Sequence, residues 1–221
     1  YSLKFGPGYI SNIHLHIPEA GPNPYKVIIV LEELGIPYEA VVVKDPKEPW
    51  FTAINPNGRL PAIVDPNSGI TLWESGAIVE FLVETYDKEG KLNVEDVAGK
   101  WHLKQYLHFQ MSGQGPYYGQ SMWFHRVPED IPLAKNRYNE QIVRVIEVLD
   151  NILRDKNYLV NNKLTYADMS FVPWNRVIQG HPILNAVIWE AYEIEKKYPN
   201  FVAWHQRLVS RPSVEKAYKA W

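Results

Sequence analysis

With 221 residues, 46% of them apolar and 22% charged, the chain has the make-up of a folded protein large enough for one big domain or two small ones. A net charge of −2 excludes a basic field for nucleic acid or an anionic membrane, and the absence of cysteine excludes disulfides, thiolate metal sites and a cysteine nucleophile. No apolar run approaches the ~18 residues of a membrane span, and the opening YSLKFGPGYISN lacks the basic end and apolar centre of a secretory signal, so a cytoplasmic protein is expected. The first residue is Tyr1 and not Met, which leaves room for an upstream extension.

In chain order, NIHLHI reads as a strand and PEAGPNP as a loop. YKVIIVLEELG reads as a helix, with Pro24 in its first turn and Gly35 just past its end. YEAVVVK is a Val-rich second strand, and residues 45–58 are punctuated by proline, with at most a helical turn near Trp50 and Phe51. LPAIVD, the turn PNSG and ITLW make a hairpin, and ESGAIVEFLVETY is a helix with Ile78, Phe81 and Leu82 on one face. Strand, helix, strand, hairpin, helix predicts a small mixed sheet covered by helices over residues 1–92. The charged linker DKEGKLNVEDVAG then leads into residues 97–221, where only helical patterns remain. Among them RYNEQIVRVIEVLDNIL carries Ile142, Val145, Ile146 and Leu149 on one face, and Thr165 to Asp168 reads as a capping box with Leu164 and Met169 as its staple.

Three stretches of the first half carry chemistry. Pro61 opens a strand without an N–H to give to a ladder; with a cis bond after Leu60, the Leu60 N–H and C=O would face an extended, peptide-like ligand, and otherwise it marks a plain turn. Ser75 is placed to cap a helix whose free N–H groups and dipole favour a carboxylate, while Glu74 beside it suits an ammonium. Together they fit the head of an α-amino acid, against the simpler reading of a cap and a solvated glutamate. In GPNPYKV a second helix N-terminus favours a thiolate, which must be a ligand's, and the Asn23 amide can donate to it; Asn is also an ordinary turn residue there. His14 and His16 share a strand face with no carboxylate cluster, so no metal site is expected, and no G-x-S-x-G nucleophile motif occurs.

NPNGRLPAIVD, LWESGAI and KLTYADMSFVPW resemble patterns of the glutathione transferase superfamily, at its spacing and over nearly the whole chain. PNPYKVIIVLEELGIPYE and QMSGQGPYYGQ resemble, more narrowly, its fungal nitrogen-regulator-like class and its bacterial Nu class. The resemblance implies an α/β thioredoxin-like domain followed by an all-α helical domain, glutathione as co-substrate, a small hydrophobic electrophile or a disulfide as its partner, and a homodimer. It implies that Glu74 and Ser75 bind the γ-glutamyl head, that Leu60 before Pro61 pairs with the cysteinyl unit, that Arg59 contacts the tripeptide and that Asn23 approaches the sulfur. Arg137 would reach across a dimer, and Tyr117, Tyr118, Trp123 and Phe124 would line the electrophile pocket. The chain departs from the pattern at Gly21, where a Thr hydroxyl is missing, at Pro24 in place of Gly, at Pro46 in place of His or Gln, with Lys44 or Lys47 to compensate, and at Asn161-Asn162 in place of Gly-Asp. The activity implied is glutathione transfer; disulfide or peroxide reduction and a non-catalytic regulator are the alternatives.

Overall fold

The computed structural model describes residues 10–18 and 21–219. Four strands, β1 (Ile13–Ile17), β2 (Tyr38–Val42), β3 (Ala62–Asp65) and β4 (Ile70–Trp73), form one sheet in the order β2-β1-β3-β4. β1 and β2 run parallel and are joined by helix α1 (Pro22–Leu34), while β1–β3 and β3–β4 are antiparallel. The short α2 (Pro49–Thr52) precedes β3, and α3 (Ser75–Tyr86) follows β4. This is the mixed sheet expected from the sequence.

Local chemistry explains the boundaries. α1 starts two residues earlier than Pro24 suggests, so Pro22 and Pro24 both fall in the first turn, where backbone N–H groups have no intrahelical partner anyway. It ends at Gly35, whose φ of 66° only glycine adopts freely, and the Ile36 N–H closes back on the Leu31 carbonyl at 2.9 Å. β3 begins at Ala62, one residue after the cis Leu60–Pro61 bond. Val27 to Leu31 are all buried, because α1 packs against α3 on one side and against the helical half on the other.

The helical half contains α4 (Val97–Phe109), α5 (Gly115–Arg126), α6 (Pro132–Ile152), α7 (Tyr166–Gly180), α8 (Pro182–Leu184), α9 (Ile194–Lys197), α10 (Pro199–Val209) and α11 (Pro212–Lys219). Gly113, Gly115 and Pro116 do not break the helix: a π-helical segment, Gln110–Gln114, carries α4 straight into α5. Widening the turn there relieves the clash between the Pro116 ring and the preceding backbone. α7 is buried from Tyr166 to Asn175 and is the axis of this half. Ile142, Val145, Ile146 and Leu149 of α6 are fully buried, as their spacing predicts.

Asp168 anchors the start of α7. Its Oδ2 accepts from the N–H and hydroxyl of Thr165 (2.9 and 2.8 Å), and its Oδ1 accepts from the Leu159 N–H and the Trp204 indole (both 2.9 Å). Burial pushes this carboxyl up, against four donors that favour its charged form. Asn161 and Asn162, standing where Gly-Asp is common, both adopt φ of 51°, a left-handed conformation that asparagine tolerates better than most residues. Among the described residues no helix is long and apolar enough to cross a membrane.

Candidate active site

A cavity of about 770 Å³ opens where the two halves meet. Its walls come from the start of α1 (Asn23, Lys26), the loop before β3 (Arg59, Leu60), the π segment and α5 (Met111, Trp123), and α7 (Trp174).

Asn23 is held by its oxygen. The Trp174 indole N–H donates to Asn23 Oδ1 at 3.1 Å, which fixes the carboxamide and leaves its NH₂ without a protein acceptor among the described residues. Gly119 lets Trp174 come close, since a side chain there would meet the indole at 3.3 Å. The backbone offers little competition as a donor. With Pro22 and Pro24 lacking N–H groups, the first helical turn can present only the N–H of Asn23 itself and of the capping Gly21.

The loop before β3 is clamped by Asn55, which is 1% exposed. Its Nδ2 donates to the Arg59 carbonyl at 2.7 Å and its Oδ1 accepts from the Asn57 N–H at 2.9 Å. Arg59 and Leu60 are thereby held at the cavity wall. Lys47 Nζ donates to the Asn57 carbonyl at 3.2 Å, on the outer side of the same loop.

Glu74 and Ser75 lie at the junction of β4 and α3. Glu74, not Ser75, occupies the N-cap position, with φ of 69° and ψ of 112°. A non-glycine residue held there costs about 1–3 kcal/mol, and such strain concentrates at functional sites. Ser75 is the first helical residue, and its hydroxyl faces Met111 Sδ at 3.9 Å instead of capping the helix.

Beneath the cavity lies a lysine. Lys26 is 1% exposed; its Nζ donates to Gln110 Oε1 at 2.9 Å and lies 3.3 Å from Met111 Sδ. Burial lowers its pKa to about 7, against the pull of the Glu74 charge, which raises it. The bond begins a buried chain: Gln110 donates to Gln114 (2.9 Å), and Gln114 donates to Asn175 Oδ1 (2.7 Å) and to the Phe171 carbonyl (3.1 Å). The π segment turns both glutamines inward, and the chain joins α1 to the centre of the helical half.

Family models for the glutathione S-transferase N-terminal and C-terminal domains match residues 20–85 and 129–212. The glutathione S-transferase-like protein gedE of Aspergillus terreus is 44% identical over 91% of this chain and 92% of its own. The glutathione transferase URE2P6 of Phanerochaete chrysosporium, solved with oxidized glutathione, superposes with a TM-score of 0.87 at 40% identity, over 95% of this chain and 96% of that one. The chain belongs to the glutathione S-transferase superfamily. Within it the chain groups with the Ure2p-like class; Ure2p5 of the same fungus, cocrystallized with 1-(S-glutathionyl)-2,4-dinitrobenzene, superposes with a TM-score of 0.85 at 37% identity, over 96% of each chain.

Within this family frame the predicted residues separate into two groups. Asn23, Arg59 and Leu60 line the cavity, with Pro61 buried behind them and Glu74 and Ser75 at its edge. Of the four aromatics expected in an electrophile pocket, Trp123 alone lines this cavity. Tyr118 is fully buried with its hydroxyl 3.5 Å from Asn175, and Tyr117 and Phe124 pack on Tyr138 of α6. The π segment is the reason: it shifts the helical phase, so α5 turns these rings to the core and to α6. Arg137 is exposed on α6 and does not line the cavity of its own chain. Lys26, Asn55 and Trp174 escaped the sequence reading. For Lys26 a signal existed, because an apolar run as continuous as VIIVL marks a helix covered on both faces.

Proposed function

We propose that this protein is a glutathione transferase that binds the tripeptide in the cavity beside Asn23 and presents its thiolate to an electrophile. The observation that carries this reading is the Trp174–Asn23 hydrogen bond, which leaves an oriented amide NH₂ as the side-chain donor at a helix start where two prolines leave only the Gly21 and Asn23 N–H groups. The charges around it match the ligand. Glu74 suits the ammonium of the γ-glutamyl head, the start of α3 suits its carboxylate, and Lys26 and Arg59 add positive charge for an anionic peptide. Leu60 offers its backbone to the cysteinyl unit.

The test is a steady-state panel with a chlorodinitrobenzene-type electrophile, a disulfide and a hydroperoxide, run on the wild type and Asn23→Ala. Loss of a donor to a charged sulfur should raise the pKa of the bound thiol and cut turnover about ten- to hundred-fold, with glutathione affinity little changed. An unchanged thiol pKa and rate would hand the role to the backbone N–H groups. The 770 Å³ cavity favours one second reading, reduction of a glutathione-containing disulfide, which the same panel separates.

The working unit we infer is a symmetric homodimer. Val97 and Trp101 lie four residues apart on one face of α4 and are 74% and 67% exposed, an apolar pair suited to cover. Arg137 of one chain would then contact the glutathione of the other. A fully active monomer in light scattering at micromolar concentration would overturn this.

A further inference from the structure

A second cavity, of about 520 Å³, lies across the Gly21–Pro22 segment from the first, and those two residues line both. Its remaining walls are largely apolar, from Met122 of α5, from Pro173 and Val177 of α7 and from Tyr218 of α11. Three cationic or basic groups interrupt that surface: Arg126, Arg176 and His181. Among the described residues none that lines it is acidic, and neither arginine has a carboxylate within ion-pair distance. Arg176 is set rigidly, its guanidinium carbon 4.1 Å above the ring of Tyr218. Tyr218 in turn stacks on Tyr25 at 4.2 Å and 12°. Arg126 Nη2 lies 3.2 Å from His181 Nε2 at the exposed side.

Arg176 has no counter-ion among the described residues, and its stack on Tyr218 leaves the hydrogen-bonding edge of its guanidinium for a ligand. Stacking fixes the planar fork in a direction from which it can bind a carboxylate with two parallel hydrogen bonds. The apolar wall of Met122, Pro173 and Val177 offers a surface for a flat ring. We propose that this cavity receives the electrophile and selects one that joins a flat apolar body to an anionic group, a carboxylate or phenolate held by Arg176 and Arg126. The proposal rests on the transferase reading above and names the substrate class of that site.

Two electrophiles that differ by one carboxylate test it: 1-chloro-2,6-dinitrobenzene and 4-chloro-3,5-dinitrobenzoate. With either, the thiolate sulfur forms a C–S bond at the ring carbon, chloride leaves with the C–Cl pair, and the thiol proton goes to solvent. kcat/KM is divided by each compound's uncatalysed rate constant. The wild type should favour the carboxylate by about tenfold or more, and Arg126→Gln or Arg176→Gln should cut its kcat/KM about ten- to hundred-fold, chiefly through KM, while the neutral compound changes less than about threefold. Equal losses for both electrophiles, or no preference in the wild type, would overturn the proposal. Since Arg176→Gln removes packing on Tyr218, Arg126→Gln, which among the described residues gives up only the contact with His181, decides if the first variant is unstable. If neither compound is consumed above its uncatalysed rate, the transferase reading fails. Quenching of tryptophan fluorescence by unreactive 3,5-dinitrobenzoate against 1,3-dinitrobenzene then still reports whether the cavity prefers the anion and whether Arg126→Gln abolishes that preference.

Discussion

Lys26→Met should make the unliganded protein more stable near neutral pH and less stable in alkali. Methionine keeps the length of the lysine stem and would lie against Met111, so packing changes little. The charge is what matters. Burial takes the lysine from 10.5 to about 7. At about 1.4 kcal/mol per pH unit, that places about 5 kcal/mol against the charged form. Between pH 7 and 10.5 the unfolded chain binds a proton that the folded chain does not, so wild-type stability falls as pH falls through that window and levels off below 7. Removing the amine also strands Gln110 Oε1, at about 1–3 kcal/mol. The variant should therefore gain about 2–4 kcal/mol near pH 7 and lose about 1–3 above pH 10.5, crossing zero between about pH 8 and 10. Urea midpoints of both proteins across that range read the difference directly. A gap of constant size, or one that widens in the variant's favour as pH rises, would refute the reasoning. The lysine's destabilising charge makes sense if it serves an anionic ligand, and the same variant should bind S-methylglutathione about tenfold more weakly.

Glu74→Ala should weaken glutathione binding about ten- to hundred-fold in calorimetry, whereas Glu74→Gly should lose the same affinity without lowering the urea midpoint, because glycine relieves the φ of 69°. Trp174→Phe removes the donor to Asn23 Oδ1 and should lower kcat about tenfold with little change in the KM for glutathione. Asn55→Ala unties Arg59 from its loop and should cost about 1–3 kcal/mol of stability in urea unfolding and raise that KM.

The first half of the chain was legible because its signals are local. Alternating apolar residues, a proline that cannot donate, a glycine past a helix end and a polar hairpin turn each constrain a few neighbouring residues, and together they specify β-α-β-β-β-α, to which the structure adds only the short α2 before β3. The same holds for Asp168, whose partner Thr165 is three residues away. Asn23, Glu74 and Ser75 could be picked out because each stands at a helix start. The Ser75 cap failed at this level for a tertiary reason: docking of Met111 against the junction turns the hydroxyl away and leaves Glu74 at the cap.

What could not be read is the seam between the halves. Trp174 is 151 residues from Asn23, and Gln110 is 84 from Lys26, so no pattern in either segment announces the other. Tyr117, Tyr118 and Phe124 were placed at the pocket by the resemblance and by no pattern of their own, and the π segment just before them sets the phase that turns them to the core and to α6. The wall of the second cavity depends on the seam in the same way. Tyr218 belongs to α11, and α11 is tied to α1 by Arg211 and Ser213, both bonded to Glu33. Burial works to raise that carboxyl, yet the donors from Arg211 and Ser213 hold it below its usual range, so the tie is intact at neutral pH. α1 is thus the shared element: one helix carries Asn23 to the first cavity, Lys26 to the buried polar chain and Glu33 to the helix that closes the second cavity. Chemistry that needs two substrates side by side is served by a fold in which a single rigid helix sets the position of both.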